Sequence, residues 1–186
     1  DVGLHFRENG SGPTLLMLHP VGLDGTFWDG VVQPLSTHRT VVTVDTTGHG
    51  GSADAARPAR MADRVRETVQ FILERNSGSI VLLGVSFGGM IAQHVALARP
   101  DLVSALVLAG CPGRMPPEAQ SAILQRGADA EAGGMQAVVG TTLERWFTPG
   151  FMSTEAVDHV RQRLLANKPS NWAAAWEAVS QHDALP

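Results

Sequence analysis

The sequence predicts an α/β architecture, a mostly parallel sheet flanked by helices, and three observations carry that expectation. Short apolar or β-branched runs alternate with segments of helical spacing as far as Ala109. A glycine-rich hexapeptide, Gly84-Val85-Ser86-Phe87-Gly88-Gly89, stands between one such run and one such helix. Past Cys111-Pro112-Gly113 the strands stop and only amphipathic helical patterns continue.

In chain order, Leu4 to Arg7 reads as a strand and Asn9-Gly10-Ser11-Gly12 as a hairpin turn. Thr14 to Leu18 is a buried strand. Thr26 is placed to cap a short helix that carries Phe27, Trp28, Val31 and Val32. Thr40 to Val44 is β-branched and ends at Asp45. Met61, Val65, Thr68, Val69 and Ile72 keep helical spacing, with Asn76-Ser77-Gly78 as the stop. Ser79 to Leu83 is the next strand, Gly84 to Gly89 a sharp turn, Met90 to Ala98 a helix, and Ser104 to Ala109 a further strand. Alternation of this kind implies βαβ units. Three helices follow: Met135, Val138, Val139, Leu143 and Trp146 mark the first. Val157, Val160, Leu164 and Leu165 mark the second, behind a Ser153 cap, and Trp172, Ala175, Trp176 and Val179 the third. The expected division is a core over residues 1–112 and a helical lid over residues 113–186.

Composition narrows the function classes. With 186 residues, 44% hydrophobic and 17% charged, the chain suits a single globular unit with a real core. A net charge of −4 with no basic cluster argues against nucleic acid and against an anionic membrane surface. Apolar runs such as Ile80 to Leu83 are too short to span a bilayer. Cys111 is the sole cysteine, so there is no disulfide framework and no zinc-type spacing, and a reducing cytoplasm is the expected compartment. The first residue is Asp1, so a trimmed, processed or partial chain is expected. No metal or organic cofactor is called for.

The hexapeptide carries the chemistry. Glycines flanking Ser86 allow a strained turn that presents its hydroxyl at the carboxyl edge of the sheet, and the helix behind aims its first N–H groups at developing negative charge. Ser86 is therefore the candidate nucleophile. Two more segments accompany it: Leu18-His19-Pro20-Val21-Gly22 directly after a strand, and Asp45-Thr46-Thr47-Gly48-His49-Gly50-Gly51-Ser52 after another. The latter lacks the Lys of a P-loop, nothing gives G-x-G-x-x-G, and His49 reads as structural.

Together these motifs, in this order, resemble the α/β-hydrolase family, from its first strands through its lid. His19 to Gly22 stands where members commonly show H-G-x-G, and Asp45 to Ser52 matches D-x-x-G-H-G-x-S. Gly134-Met135 with Leu143 to Pro149 looks like the 3-oxoadipate enol-lactonase group, which sets aromatic-compound catabolism as the context. Haloalkane dehalogenases share the fold but use Asp at the elbow, where this chain has Ser86. The resemblance implies that the backbone N–H groups of Val21 and Phe87 form an oxyanion hole, and that His19 and Trp146 contact substrate. Trp146, Phe147, Trp172 and Trp176 would line an apolar pocket, although simple lid packing is the better account of most of them.

A serine nucleophile needs a base and an acid, in the order Ser, Asp or Glu, His. The later histidines are His94, His159 and His182, and the acids include Glu118, Asp129, Glu131, Asp158 and Asp183. His94 faces away from Ser86 along its helix. Asp158 and His159 lie on a solvated face, and His182-Asp183 has the reverse order. The expectation is that acid and His lie outside this chain, either on a second chain that carries the C-terminal strands or on a C-terminal segment missing from a fragment, and that the five-stranded sheet has an open edge. The expected reaction is hydrolysis of an ester or lactone through an acyl-enzyme, an enol-lactone being one such substrate. A carbon–carbon bond hydrolase or general carboxylesterase keeps the same fold. A small-molecule receptor without catalysis is the alternative of another class.

Overall fold

A computed structural model describes residues 3–185. Five strands form one sheet: β1 (Phe6–Asn9), β2 (Thr14–Leu18), β3 (Thr40–Val44), β4 (Ile80–Val85) and β5 (Val103–Ala109), in the order β1-β3-β2-β4-β5. All neighbours are parallel except β1 and β3, which run antiparallel with Phe6 opposite Val44. The mostly parallel sheet is as expected; the hairpin is not. β3 lies between β1 and β2, because the Asn9–Gly12 turn crosses the chain entering β3. A Cβ on Gly10 would stand 2.2 Å from Ser36 O and 2.4 Å from Arg39 O, so the turn sits flat on that segment.

Helices α1 (Asp29–Leu35), α2 (Met61–Arg75) and α3 (Phe87–Ala98) flank the sheet. Asp24, not Thr26, caps the entry to α1: its Oδ1 accepts from Thr26 N–H (2.9 Å) and Thr26 O–H (2.5 Å) across the 3₁₀ turn Gly25–Trp28. Asn76 ends α2 in the left-handed region (φ 50°), as its position predicts. α3 begins at Phe87, three residues before the sequence pattern places it, because Gly88 and Gly89 are already helical.

Four helices follow: α4 (Gln120–Gly133), α5 (Met135–Trp146), α6 (Glu155–Leu165) and α7 (Pro169–Ser180). Thr154, not Ser153, precedes α6 as its cap residue. The sequence pattern misses α4. Its buried face is Ile123, Gly127 and Ala130, and a Cβ on Gly127 would lie 2.8 Å from Ala173 Cα of α7. Close packing through small residues leaves almost no hydrophobic periodicity to read.

One apolar cluster joins the sheet (Leu16, Leu18, Leu82), α2 and α3 (Phe71, Ile91) and the later helices (Leu143, Trp172). A smaller one packs α1 on the opposite face through Trp28, Met17 and Val41. β5 pairs with β4 alone among the described residues, and Leu106, Val107 and Leu108 on it are exposed. No helix among the described residues is long and apolar enough to cross a membrane.

Candidate active site

β2 and β4 are parallel neighbours with Leu18 opposite Gly84, so the loops leaving their carboxyl ends lie side by side. Ser86 occupies the turn between β4 and α3 at φ 52° and ψ −116°, a conformation sparsely populated by any residue but glycine. Two backbone bonds hold it there: Ser86 N–H donates to Ala109 O at the end of β5 (2.8 Å), and Met90 N–H donates to Ser86 O (2.9 Å). Its side chain is half-buried, and its hydroxyl is hydrogen-bonded to no described residue. Close packing explains the flanking glycines. A Cβ on Gly84 would lie 2.3 Å from Gly88 O, and one on Gly89 2.5 Å from Cys111 Sγ.

Val21 and Phe87 are both buried, and no described residue accepts a hydrogen bond from either backbone N–H. Buried N–H groups are nearly always paired, so each of these two is a donor free to take an acceptor.

His19 is fully buried with both ring nitrogens engaged. Nδ1 lies 2.8 Å from Pro20 O and Nε2 accepts from Thr46 N–H (3.0 Å), which fixes the Nδ1–H tautomer. Burial lowers its pKa. His19 thus ties the β2 loop to the β3 loop. Beside it the His49 ring lies tilted, 4.9 Å away between centroids, and hydrogen-bonds Thr46 Oγ1 (3.0 Å). Burial and then the charge of His19 push its pKa down to about 3. Asp45 braces the same loop: Oδ1 accepts from Gly25 N–H (2.7 Å), and Oδ2 from Gly51 N–H and the His5 ring (2.8 Å each).

The lid helices press on the Val21 loop. A Cβ on Gly22 would lie 2.5 Å from Trp172 Cζ3 and 2.8 Å from Leu164 Cδ2. Asn167 Nδ2 donates to Gly22 O (2.7 Å), and Arg163 pairs with Asp24. Asn171 accepts from Ala55 N–H (3.0 Å). No motif flags Asn167 or Asn171, since a lone polar residue at a helix end carries no periodic signal. Trp172 and Trp176 pack edge to face, and Arg126 lies over Trp176, so both serve lid packing. Trp146 is half-buried at the end of α5. A cavity of about 820 Å³ opens between the entry to α1 and the lid, lined by Leu23, Phe27, Phe147 and Val160. His159 is exposed, as expected of it, but at the mouth of this cavity.

Residues 15–186 match the model of the alpha/beta hydrolase family. An (E)-2-((N-methylformamido)methylene)succinate hydrolase of Acinetobacter baylyi is 30% identical over 96% of this chain and 67% of its own length. A pimeloyl-[acyl-carrier protein] methyl ester esterase of Nitrosomonas europaea is 37% identical over 58% of this chain and 40% of its own. Among solved structures, an enol-lactonase from Burkholderia xenovorans superimposes with a TM-score of 0.89 at 26% identity, covering 97% of this chain and 71% of that one.

Proposed function

The chain belongs to the alpha/beta hydrolase family, and on that premise we propose that Ser86 is the nucleophile of a serine hydrolase acting on an ester or lactone carbonyl. The observation that carries the reading is Ser86 itself, held at φ 52° between strand and helix with its hydroxyl unengaged. In this reading Ser86 Oγ attacks the carbonyl carbon and its proton passes to a histidine base. The oxyanion is held by the free N–H groups of Val21 and Phe87, a stabilisation in which one donor is worth about 10²–10³ in rate. The tetrahedral species then collapses: the carbonyl carbon's single bond to the ester or lactone oxygen breaks, and the histidine gives its proton to that oxygen. Water, giving a proton to the same histidine, attacks the acyl-enzyme, the acid leaves and Ser86 regains its proton.

The base and the acid of this scheme lie on residues beyond these 186, on a second chain or a C-terminal segment. Support comes from the described histidines: His19 and His49 are buried in loop contacts, His94 is bonded to His182, and none hydrogen-bonds Ser86. An enol-lactone is the substrate favoured by the likeness to the Burkholderia enol-lactonase. In this reading Trp146 lies near substrate, and His19 acts through the loop it holds. The lone Cys111 accords with a cytoplasmic setting. The test is labelling of the complete protein with a fluorophosphonate probe, followed by peptide mapping and assay against enol-lactone and simple ester substrates. An adduct on Ser86, lost in Ser86→Ala, is expected. Absence of any adduct there would overturn the reading in favour of a receptor.

A further inference from the structure

The segment that leaves the sheet for the lid and the segment that returns from it meet at one point. Met115 N–H donates to His182 O (2.9 Å) and Ala184 N–H to Gly113 O (2.8 Å), and Arg114 pairs with Asp183 (2.7 Å). These contacts close a neck beneath α4–α7. His182 sits in that neck, 1% exposed. Its Nε2 lies 2.9 Å from Pro112 O; a carbonyl only accepts, so Nε2 carries the proton and Nδ1 the lone pair. That Nδ1 is 3.2 Å from Nε2 of His94, on the helix α3 that follows Ser86, with the rings edge to face. Gln93, next to His94, also donates to Pro112 O (2.9 Å). Side chains of the elbow helix therefore hold both ends of the neck.

We propose that His94 and His182 form a pH-sensitive latch that fastens the lid's neck to the elbow helix and opens when the pair takes up a second proton. With both rings neutral, His94 Nε2–H donates to His182 Nδ1. A first proton is accommodated. On His94 Nδ1 it leaves the bond intact; on His182 Nδ1 it turns the bond round, His94 moving its own proton to Nδ1 and accepting through Nε2. A second proton leaves N–H groups on both facing nitrogens and two positive rings in contact.

The surroundings favour this behaviour. Burial first, and then His182, lower the pKa of His94, with Asp183 acting in the opposite sense. Arg66 from α2 and Arg99 from the end of α3 line the groove that His94 faces, and each is paired, with Asp63 and Asp101 respectively. Arg114 holds Asp183 below the usual carboxylate range, so its charge persists while the histidines titrate. Cys111, beside Gln93, has its thiol pushed up by burial and stays neutral.

Amide hydrogen exchange of Met115 and Ala184 in the full chain tests the latch, followed from about pH 7.5 to about pH 4.5, across the histidine range, and corrected for intrinsic exchange. Protection at both amides falls severalfold on the acid side. In His94→Gln the side-chain N–H donates to neutral His182 and the side-chain oxygen accepts from the protonated ring, so protection stays level. Flat protection in the unsubstituted chain overturns the proposal, as does a His94→Gln variant that loses protection in parallel with it. Should that variant not fold, imidazole NMR of the unsubstituted chain decides. Two linked steps support the latch; two independent titrations overturn it.

Discussion

A Cβ on Gly88 would stand 2.2 Å from the carbonyl oxygen of Leu18 and 2.8 Å from that of His19. The first turn of α3 thus rests directly on the backbone where β2 becomes the Val21 loop. Backbone cannot swing aside as a side-chain tip can, so even one methyl group must push the elbow and this loop apart.

Gly88→Ala is therefore expected to lower stability by about 1–3 kcal/mol, the usual range for overpacking. It should also slow fluorophosphonate labelling of Ser86 under the proposed reading, in which Phe87 N–H and Val21 N–H hold one oxyanion and would be moved apart. Denaturant unfolding and labelling rates measure the two effects separately. Wild-type values for both would contradict the close approach.

The elbow was legible in the sequence because this contact demands glycine. Gly84, Gly88 and Gly89 each stand where a Cβ would meet another atom within 2.5 Å, so the steric requirement is written in residue identity. The strands were legible through their continuous apolar runs. Strand order at the sheet edge was not: the Gly10 turn looks the same locally whether it makes a hairpin or crosses the chain entering β3. α4 escaped because its contact with α7 uses Gly127 and Ala173 rather than a periodic apolar stripe. The likeness to the family gives His19 a substrate contact, whereas its two hydrogen bonds, which no motif encodes, engage both ring nitrogens in tying two loops together.

Strain at Ser86 has its own consequence. A φ of 52° with ψ of −116° costs a non-glycine residue about 1–3 kcal/mol, and glycine escapes most of that. Ser86→Gly should thus be more stable than Ser86→Ala, although glycine normally disfavours folding by about 0.5–1 kcal/mol relative to alanine. Thermal unfolding of the two variants side by side checks the order. Ser86→Ala as the more stable variant would show that the turn is relaxed.

His49 makes stability depend on pH. Its pKa is pushed down to about 3 in the folded chain, by burial first and the charge of His19 second, whereas an unfolded histidine titrates near about 6.5. Between those values the unfolded chain binds a proton that the folded chain refuses. The contribution is complete above the unfolded value and declines as pH falls toward the folded one, by at most about 1.4 kcal/mol per pH unit. His19, its pKa also lowered by burial, acts in the same direction. Urea unfolding at a series of pH values between the two limits should show the decline, with a shallower slope in His49→Asn. An unchanged slope in that variant would mean that His49 titrates freely when folded.

Asn167 links the lid to the loop that carries Val21. Its Nδ2 donates to Gly22 O at 2.7 Å, and the same amide caps the end of α6 through Arg163 O (2.9 Å) and Leu164 O (3.1 Å). Gly22 is buried, so removing the amide leaves its carbonyl without a partner and costs about 1–3 kcal/mol. Asn167→Asp preserves shape but replaces the donor with an acceptor facing two or more carbonyl oxygens, and should be at least as destabilising as Asn167→Ala. Both variants should loosen the fold in the same place. The lost contact lies on the Val21 loop, so faster amide exchange is expected around Gly22 and Leu23 and at the end of α6, with β4 and β5 unchanged. Loosening spread evenly over the sheet would show that Asn167 supports global packing rather than the seat of the lid on this loop.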